Sequence, residues 1–203
     1  MRFYDEYILP HVINCACGLN TVCKQREKVV PQASGRVLEV GIGSALNLPY
    51  YQRSEVEFIW GLEPSAGMRA KAQKNLDAAD VAVKWLDLPG ESIPLANDSA
   101  DTVLLTYTLC TIPDWQAALA EMRRVLKPDG KLLFCEHGLA PSEKVQRWQQ
   151  RITPFWKKIA GGCHLDRNIP ALLQAAGFRM ETLEAGYIKG PRIAAFNYWG
   201  RAV

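Results

Sequence analysis

No stretch of this chain approaches the roughly 18 consecutive apolar residues that suggest a membrane-spanning helix. The N-terminus has no basic segment followed by a clean apolar run and a small-residue cleavage site, so no secretory leader is expected. Runs of lysine or arginine are missing and the formal net charge is only +3, which argues against nucleic acid or an anionic membrane as a partner. Internal repeats and low-complexity tracts are absent as well. These absences point to a cytoplasmic protein. Weak peripheral association with a membrane through an apolar N-terminal face stays open.

Histidine is scarce: His11, His137 and His164 are the whole supply, which restricts the side chains able to move protons near neutral pH. The six cysteines, Cys15, Cys17, Cys23, Cys110, Cys135 and Cys163, are expected as thiols in a reducing compartment. Cys15, Cys17 and Cys23 with His11 have C-x-C-x5-C spacing, not the C-x2-C knuckle of structural zinc, so no metal is expected there. With 203 residues, 48% of them hydrophobic and 22% charged, the chain has the size and composition of one domain with a full core.

What is present is organised around Val37-Leu38-Glu39-Val40-Gly41-Ile42-Gly43-Ser44-Ala45-Leu46-Asn47-Leu48-Pro49. Val37, Leu38 and Val40 suit a strand buried on both faces. Gly41 and Gly43 let the backbone bend and approach a ligand, and a polar, helix-capable segment follows. The acid Glu63 ends the next apolar run, Phe58–Leu62, about 20 residues beyond Gly41, where nucleotide-binding α/β folds place the carboxylate that takes ribose hydroxyls. A dinucleotide fingerprint requires glycine at position 46, and Leu46 stands there, which disfavours NAD or FAD.

Along the chain, residues 3–28 read as mainly helical, in two pieces broken near Pro10 or Gly18. Phe3, Tyr4, Tyr7, Ile8, His11 and Val12 share one side, either as packing or as a cover over a ligand cleft. Strands are expected at 36–40, 58–62, 81–86, 102–106 and 131–135. A helix capped by Ser65 carries Met68, Ala72, Leu76 and Ala79. A second, opened by Pro113 and Asp114, carries Trp115, Leu119, Met122 and Leu126 and ends at the turn Lys127-Pro128-Asp129-Gly130. The alternation argues an α/β fold, a parallel sheet with helices on both faces. Residues 136–167 break the pattern with an aromatic-rich insertion suited to covering a substrate pocket. A last helix over 168–176, ended by Gly177, precedes two closing strands at 178–187 and 193–202.

The segments Glu39-Val40-Gly41-Ile42-Gly43-Ser44-Ala45, Gly61-Leu62-Glu63-Pro64-Ser65, Glu91-Ser92-Ile93-Pro94, Asp101-Thr102-Val103 and Leu126-Lys127-Pro128-Asp129-Gly130, in this order, resemble the class I S-adenosylmethionine (SAM) methyltransferases. Ala45 stands in the place of a third glycine, where a negative φ would accommodate its methyl group. Leu109-Cys110-Thr111-Ile112, Glu136-His137 and Gly162-Cys163-His164-Leu165 resemble a narrower group, the animal alkyl-thiol methyltransferases and their bacterial relatives. The resemblance implies a single Rossmann-like methyltransferase domain over 1–203. Its sheet would be seven-stranded and mostly parallel with an antiparallel last strand, residues 1–28 forming a helical cap. It implies SAM as cofactor and S-adenosylhomocysteine as its product.

By the same resemblance Glu63 holds the ribose diol, with Pro64 beside it. Glu39, Gly41, Gly43, Ala45, Asn47 and Leu48 serve the methionine part. Met68, Gly90, Glu91 and Ser92 border adenine, and Thr106 to Leu109 border the sulfonium. Tyr7, His11, Cys110 and His164 are the acceptor-side candidates, and His137, just past strand 5, is the candidate base or orienter. Glu136 is expected to hold strand-end geometry. A thiol acceptor is favoured, because with a pKa of about 8.5 it needs little help from a base. The alternatives are O-, N- or C-methylation of a phospholipid, quinone-like or other small metabolite, and a SAM-binding module without catalysis. Arsenite methylation would require Cys110 and Cys163 to approach each other.

Overall fold

The computed structural model describes residues 4–203; Phe3, expected on the N-terminal stripe, lies outside them. Seven strands form the sheet: β1 (Gly35–Val40), β2 (Val56–Leu62), β3 (Val83–Leu86), β4 (Ala100–Thr106), β5 (Leu126–His137), β6 (Met180–Tyr187) and β7 (Phe196–Ala202). Their order is β3-β2-β1-β4-β5-β7-β6. Every pairing from β3 to β5 is parallel, whereas β7 runs antiparallel to both β5 and β6. This is the expected Rossmann-like sheet with a reversed last strand. Both faces are dry. Leu38, Val103, Leu105 and Phe134 belong to one core, and Val37, Leu104, Leu133 and Cys135 to the other. Neighbours along a strand point to opposite faces, so strands buried on both sides become continuous apolar runs.

Helices α1 (Leu9–Cys17) and α2 (Asn20–Val29) follow a short wide turn at Tyr4–Ile8, with the break at Gly18. Helices α3 (Ala66–Asp77), α4 (Trp115–Val125), α5 (Glu143–Ile159) and α6 (Ile169–Ala175) complete the layers. Three begin with side-chain caps: Ser65 Oγ accepts from Met68 N–H, Asp114 from Ala117 N–H and Asn168 from Ala171 N–H. Gly177, at φ +85°, closes α6 as a left-handed C′ residue. No described helix is long and apolar enough to cross a membrane.

Three local expectations are corrected. The segment after the glycine loop forms turns and one 3-10 turn at Leu48–Tyr50, not an α-helix; Pro49 has no N–H to continue one. Ala45 adopts φ +59°, not a negative value. Leu126 starts β5 instead of ending α4. Its pairing jumps from Ala100↔Leu126 to Thr102↔Lys131, so Lys127–Gly130 bulge out as the expected turn.

Packing decides where substitutions hurt. Phe134→Ala, in the fully buried centre of β5, should cost about 3–5 kcal/mol. Leu183→Ala on the exposed edge strand β6 should cost under about 1 kcal/mol. Urea-unfolding midpoints measure both.

Candidate active site

A cavity of about 400 Å³ opens at the carboxyl ends of β1, β2 and β4, where parallel sheets bind ligands. Its floor is the turn after β1. Gly41 and Gly43 take φ +69° and +59°, a region where glycine alone is unstrained. A Cβ on Gly41 would collide with the Thr108 side chain, and one on Gly43 would stand 3.2 Å from Met68 Cε. The two glycines therefore bend the chain and keep the floor open.

Glu63, at the end of β2, is buried, with 8% of its surface exposed. Its Oε2 accepts the Gly43 N–H at 3.1 Å and its Oε1 accepts the Ser65 N–H at 2.8 Å. Burial raises its pKa above the usual carboxylate range, against those two hydrogen bonds. Each carboxylate oxygen keeps a second lone pair for a ligand hydroxyl. Asn47 joins the loop to the sheet: its Nδ2 donates to Glu39 Oε1 and to Thr106 Oγ1, both at 2.8 Å. The Tyr51 hydroxyl donates to Glu39 Oε2 at 2.6 Å. Glu39 is thus a positioning residue beneath the cleft and does not line it, a correction of its expected ligand contact. Burial pushes its pKa up to about 7, against the Tyr51 and Asn47 hydrogen bonds.

Of the residues expected at the cofactor, Gly41, Gly43, Asn47, Glu63, Pro64, Met68, Gly90, Glu91 and Thr106 line the cavity. Ala45, Leu48, Ser92 and Leu109 do not. Ala45, Leu48 and Leu109 are packed into the cores and Ser92 faces outward. On the acceptor side the placement differs more. Tyr7 is largely exposed, and His11 sits beside Lys71 Nζ at 2.9 Å, away from the cavity. The same helix reaches the cleft with Leu9, Ile13 and Cys17 instead, an i, i+4, i+8 stripe that lies on a different side of α1. The insertion over 136–167 contributes only Gly161 to the described lining; Trp148 and Phe155 are exposed.

His137 does not line the cavity either. Its Nε2 stands 3.1 Å from Cys163 Sγ, and its ring stacks 6.5 Å from that of Tyr107. Burial works against its charge, yet the Cys163 neighbour raises its pKa above the ordinary value. Cys163 is held below the usual thiol range, first by a hydrogen bond from Cys110, then by His137. Cys110 is buried beside them, and the His164 N–H donates to the Cys110 carbonyl at 2.8 Å while its ring turns toward Asp166. Glu136 holds the strand end as expected, because its Oε1 accepts the Thr108 and Leu109 N–H groups at 2.7 and 3.0 Å.

Tyr107, within the expected Thr106 to Leu109 border, lines the cavity and adopts φ +57°, the kind of local strain that collects at functional sites. One lining residue that matters carries no motif signal. Arg26 of α2 is 4% exposed and lines the cavity. Its Nη1 donates to the Cys17 carbonyl at 3.1 Å, its guanidinium lies 5.3 Å from the Tyr107 ring centroid, and its Nε is buried without a partner. Asn47 Oδ1 is buried and unpartnered as well.

Residues 38–134 match the family described as "Methyltransferase domain". The SAM-dependent methyltransferase LMAJ004091AAA of Leishmania major superposes with TM-score 0.71 at 15% identity, covering 98% of this chain and 80% of that one. Over residues 38–134 the chain is similar to the class I SAM-dependent methyltransferases. The thiol S-methyltransferase TMT1B of Homo sapiens is 34% identical over 152 residues, 72% of this chain and 62% of that protein. The phosphatidylethanolamine N-methyltransferase of Cereibacter sphaeroides is 29% identical over 152 residues, 74% and 72% of the two chains. The chain spans less than two thirds of the length of the TMT1B proteins it matches, and 37% of the rat one. SAM, the donor of the family, fits the cavity's chemistry. The glycine floor admits backbone-close binding, Glu63 can accept a diol, and the unpartnered Arg26 Nε and Asn47 Oδ1 suit a carboxylate and an ammonium.

Glu39 sets a pH signature. Its folded pKa of about 7 lies above its ordinary 4.5, so the folded state binds its proton more tightly than the unfolded chain. Stability from this group is complete below pH ~4.5 and is lost as pH rises to ~7, by on the order of 3 kcal/mol. Glu136, also at about 7, adds to the same slope. Glu39→Gln should therefore reduce the fall in Tm between pH 5 and pH 8, read by thermal melts; an unchanged slope would contradict the burial argument.

Proposed function

We propose that this chain is a SAM-dependent methyltransferase that binds SAM in the cleft and transfers its methyl group to a small thiol. The observation that carries the reading is the Glu63 carboxylate tied to Gly43 N–H at the edge of an open glycine floor. When bound, SAM supplies an electrophilic methyl group on a sulfonium. Glu63 accepts the ribose hydroxyls, and Met68, Pro89 and Gly90 pack the adenine. Arg26 takes the amino-acid carboxylate and Asn47 Oδ1 the ammonium. Thr106, Tyr107 and Thr108 wall the end of β4 beside the sulfonium, while Leu9, Pro10 and Ile13 shut water out from above.

A thiol fits the acceptor side because the lining holds no histidine, and its two carboxylates, Glu63 and Glu91, each accept backbone N–H groups. The described titratable groups of the lining are Cys17, Arg26, Glu63, Glu91 and Tyr107. Glu63 is held by two backbone N–H groups, and the Cys17 thiol is pushed up by burial. All three histidines stand outside the lining. An acceptor that ionises by itself near neutral pH meets this arrangement; an alcohol does not. A lipid acceptor is the second reading. The exposed Ile8, Val12, Phe155 and Ile159, beside Lys157 and Lys158, suit an interface with lipid.

Transfer of radiolabelled methyl groups over thiols, phenols, amines and lipid vesicles separates the readings. The thiol reading expects transfer to thiols with a pH midpoint that follows the pKa of each thiol offered. Transfer confined to lipids, or one midpoint shared by all thiols, would overturn it. Arg26→Gln should weaken S-adenosylhomocysteine about 10- to 100-fold by calorimetry and leave methylthioadenosine, which lacks the amino-acid tail, unchanged. Equal losses for both would place Arg26 elsewhere in binding.

A further inference from the structure

Three side chains that do not line the cavity meet behind the cleft wall. Cys110 comes from the loop after β4, His137 from the last position of β5 and Cys163 from the loop after α5. Their two sulfurs and one ring nitrogen all lie within 4.8 Å of one another. The convergence is built into the backbone. Glu136 fixes the Thr108 and Leu109 N–H groups just before Cys110. The His164 N–H then ties the Cys163 segment to the Cys110 carbonyl. Both cysteines are buried, and the His137 Nδ1 has no hydrogen-bond partner. Cys17, on the cleft wall, is close enough to interact electrostatically with Cys163.

Two thiols and an imidazole on three separate elements are the donor set of a borderline-soft d10 cation; hard cations such as Mg²⁺ or Ca²⁺ take oxygen. With Zn–S of about 2.3 Å and Zn–N of about 2.0–2.1 Å, tetrahedral ligand atoms stand roughly 3.5–3.8 Å apart. The observed limit of 4.8 Å, with one pair at 3.1 Å, needs ligand shifts of about 1 Å. Two thiolates cancel the charge of a divalent ion, so the loaded site is neutral and tolerates burial.

We propose that Cys110, His137 and Cys163 form a zinc site with three protein ligands and an open fourth position. As the ion enters, two Zn–S bonds and one Zn–N bond form, two protons leave the three side chains for solvent, and no group changes oxidation state. The proposal does not depend on which acceptor is methylated.

Reduced, chelator-stripped protein titrated with Zn²⁺ against a chromophoric chelator should take up one equivalent and release protons, seen as a buffer-dependent enthalpy. Cys110→Ser and Cys163→Ser should each weaken uptake at least about 100-fold, since even loss of an outlying partner of a metal ligand costs 10- to 100-fold. Cys15→Ser and Cys23→Ser should leave it unchanged. X-ray absorption of the zinc-loaded natural chain, which needs no variant to fold, should show two sulfurs at about 2.3 Å and nitrogen or oxygen at about 2.0–2.1 Å. No equivalent bound, full affinity in Cys163→Ser, uptake lost only with Cys15 or Cys23, or fewer than two sulfurs would each overturn the proposal.

Discussion

The hydrogen bond from the Gly43 amide to the Glu63 carboxylate joins the turn after β1 to the end of β2. It forms because both glycines of the turn take left-handed conformations and because β1 and β2 are parallel neighbours with Val40 opposite Leu62. A carboxylate 8% exposed is costly to keep charged, and burial does raise its pKa. Two backbone N–H groups offset part of that cost and leave the remaining lone pairs aimed at the cavity. The same contact therefore shapes the loop and prepares it for a diol.

A second layer of buried carboxyl groups supports the first. Glu39 and Glu136 lie at the ends of β1 and β5, and Glu39 feels the positive charge of Arg26 on α2. Glu39 holds Asn47, and Asn47 holds Thr106. Glu136 holds the chain leaving β4. At the opposite end of the sheet Asp101 accepts the Arg36 N–H at 2.8 Å and pairs with Lys127. Its place in the family motif is thus a structural one. The polar residues of this fold divide into those that touch the cleft and those that aim the ones that do.

Much of the scaffold was legible because it is local. The apolar runs of β1, β2 and β4, the caps Ser65, Asp114 and Asn168, and the Gly177 stop all follow from neighbours a few residues away. So does Glu63, whose spacing from Gly41 is a property of the single crossover between β1 and β2. What stayed hidden depends on tertiary approach. Arg26 sits in a helix of low mean hydropathy, and nothing near it in sequence shows that α2 turns it under Tyr107. The stripe Leu9, Ile13 and Cys17 was visible in the helical spacing, yet the aromatic side carrying Tyr7 and His11 drew the expectation. His137 and Cys163 meet across the α5 insertion, and the insertion's length conceals the meeting. Ala45 takes a left-handed conformation because the turn demands it there, at a cost of roughly 1–2 kcal/mol.

The most direct measurement compares S-adenosylhomocysteine with its 2′-deoxy analogue on the natural chain and on Glu63→Ala. The natural chain should bind the full ligand about 10- to 100-fold more tightly than the analogue, the range expected for a hydrogen bond to a charged group. Glu63→Ala should bind both alike and at the weaker level. A variant that still prefers the intact ribose, or that keeps the natural affinity, would show that the sugar is held elsewhere and would contradict the account.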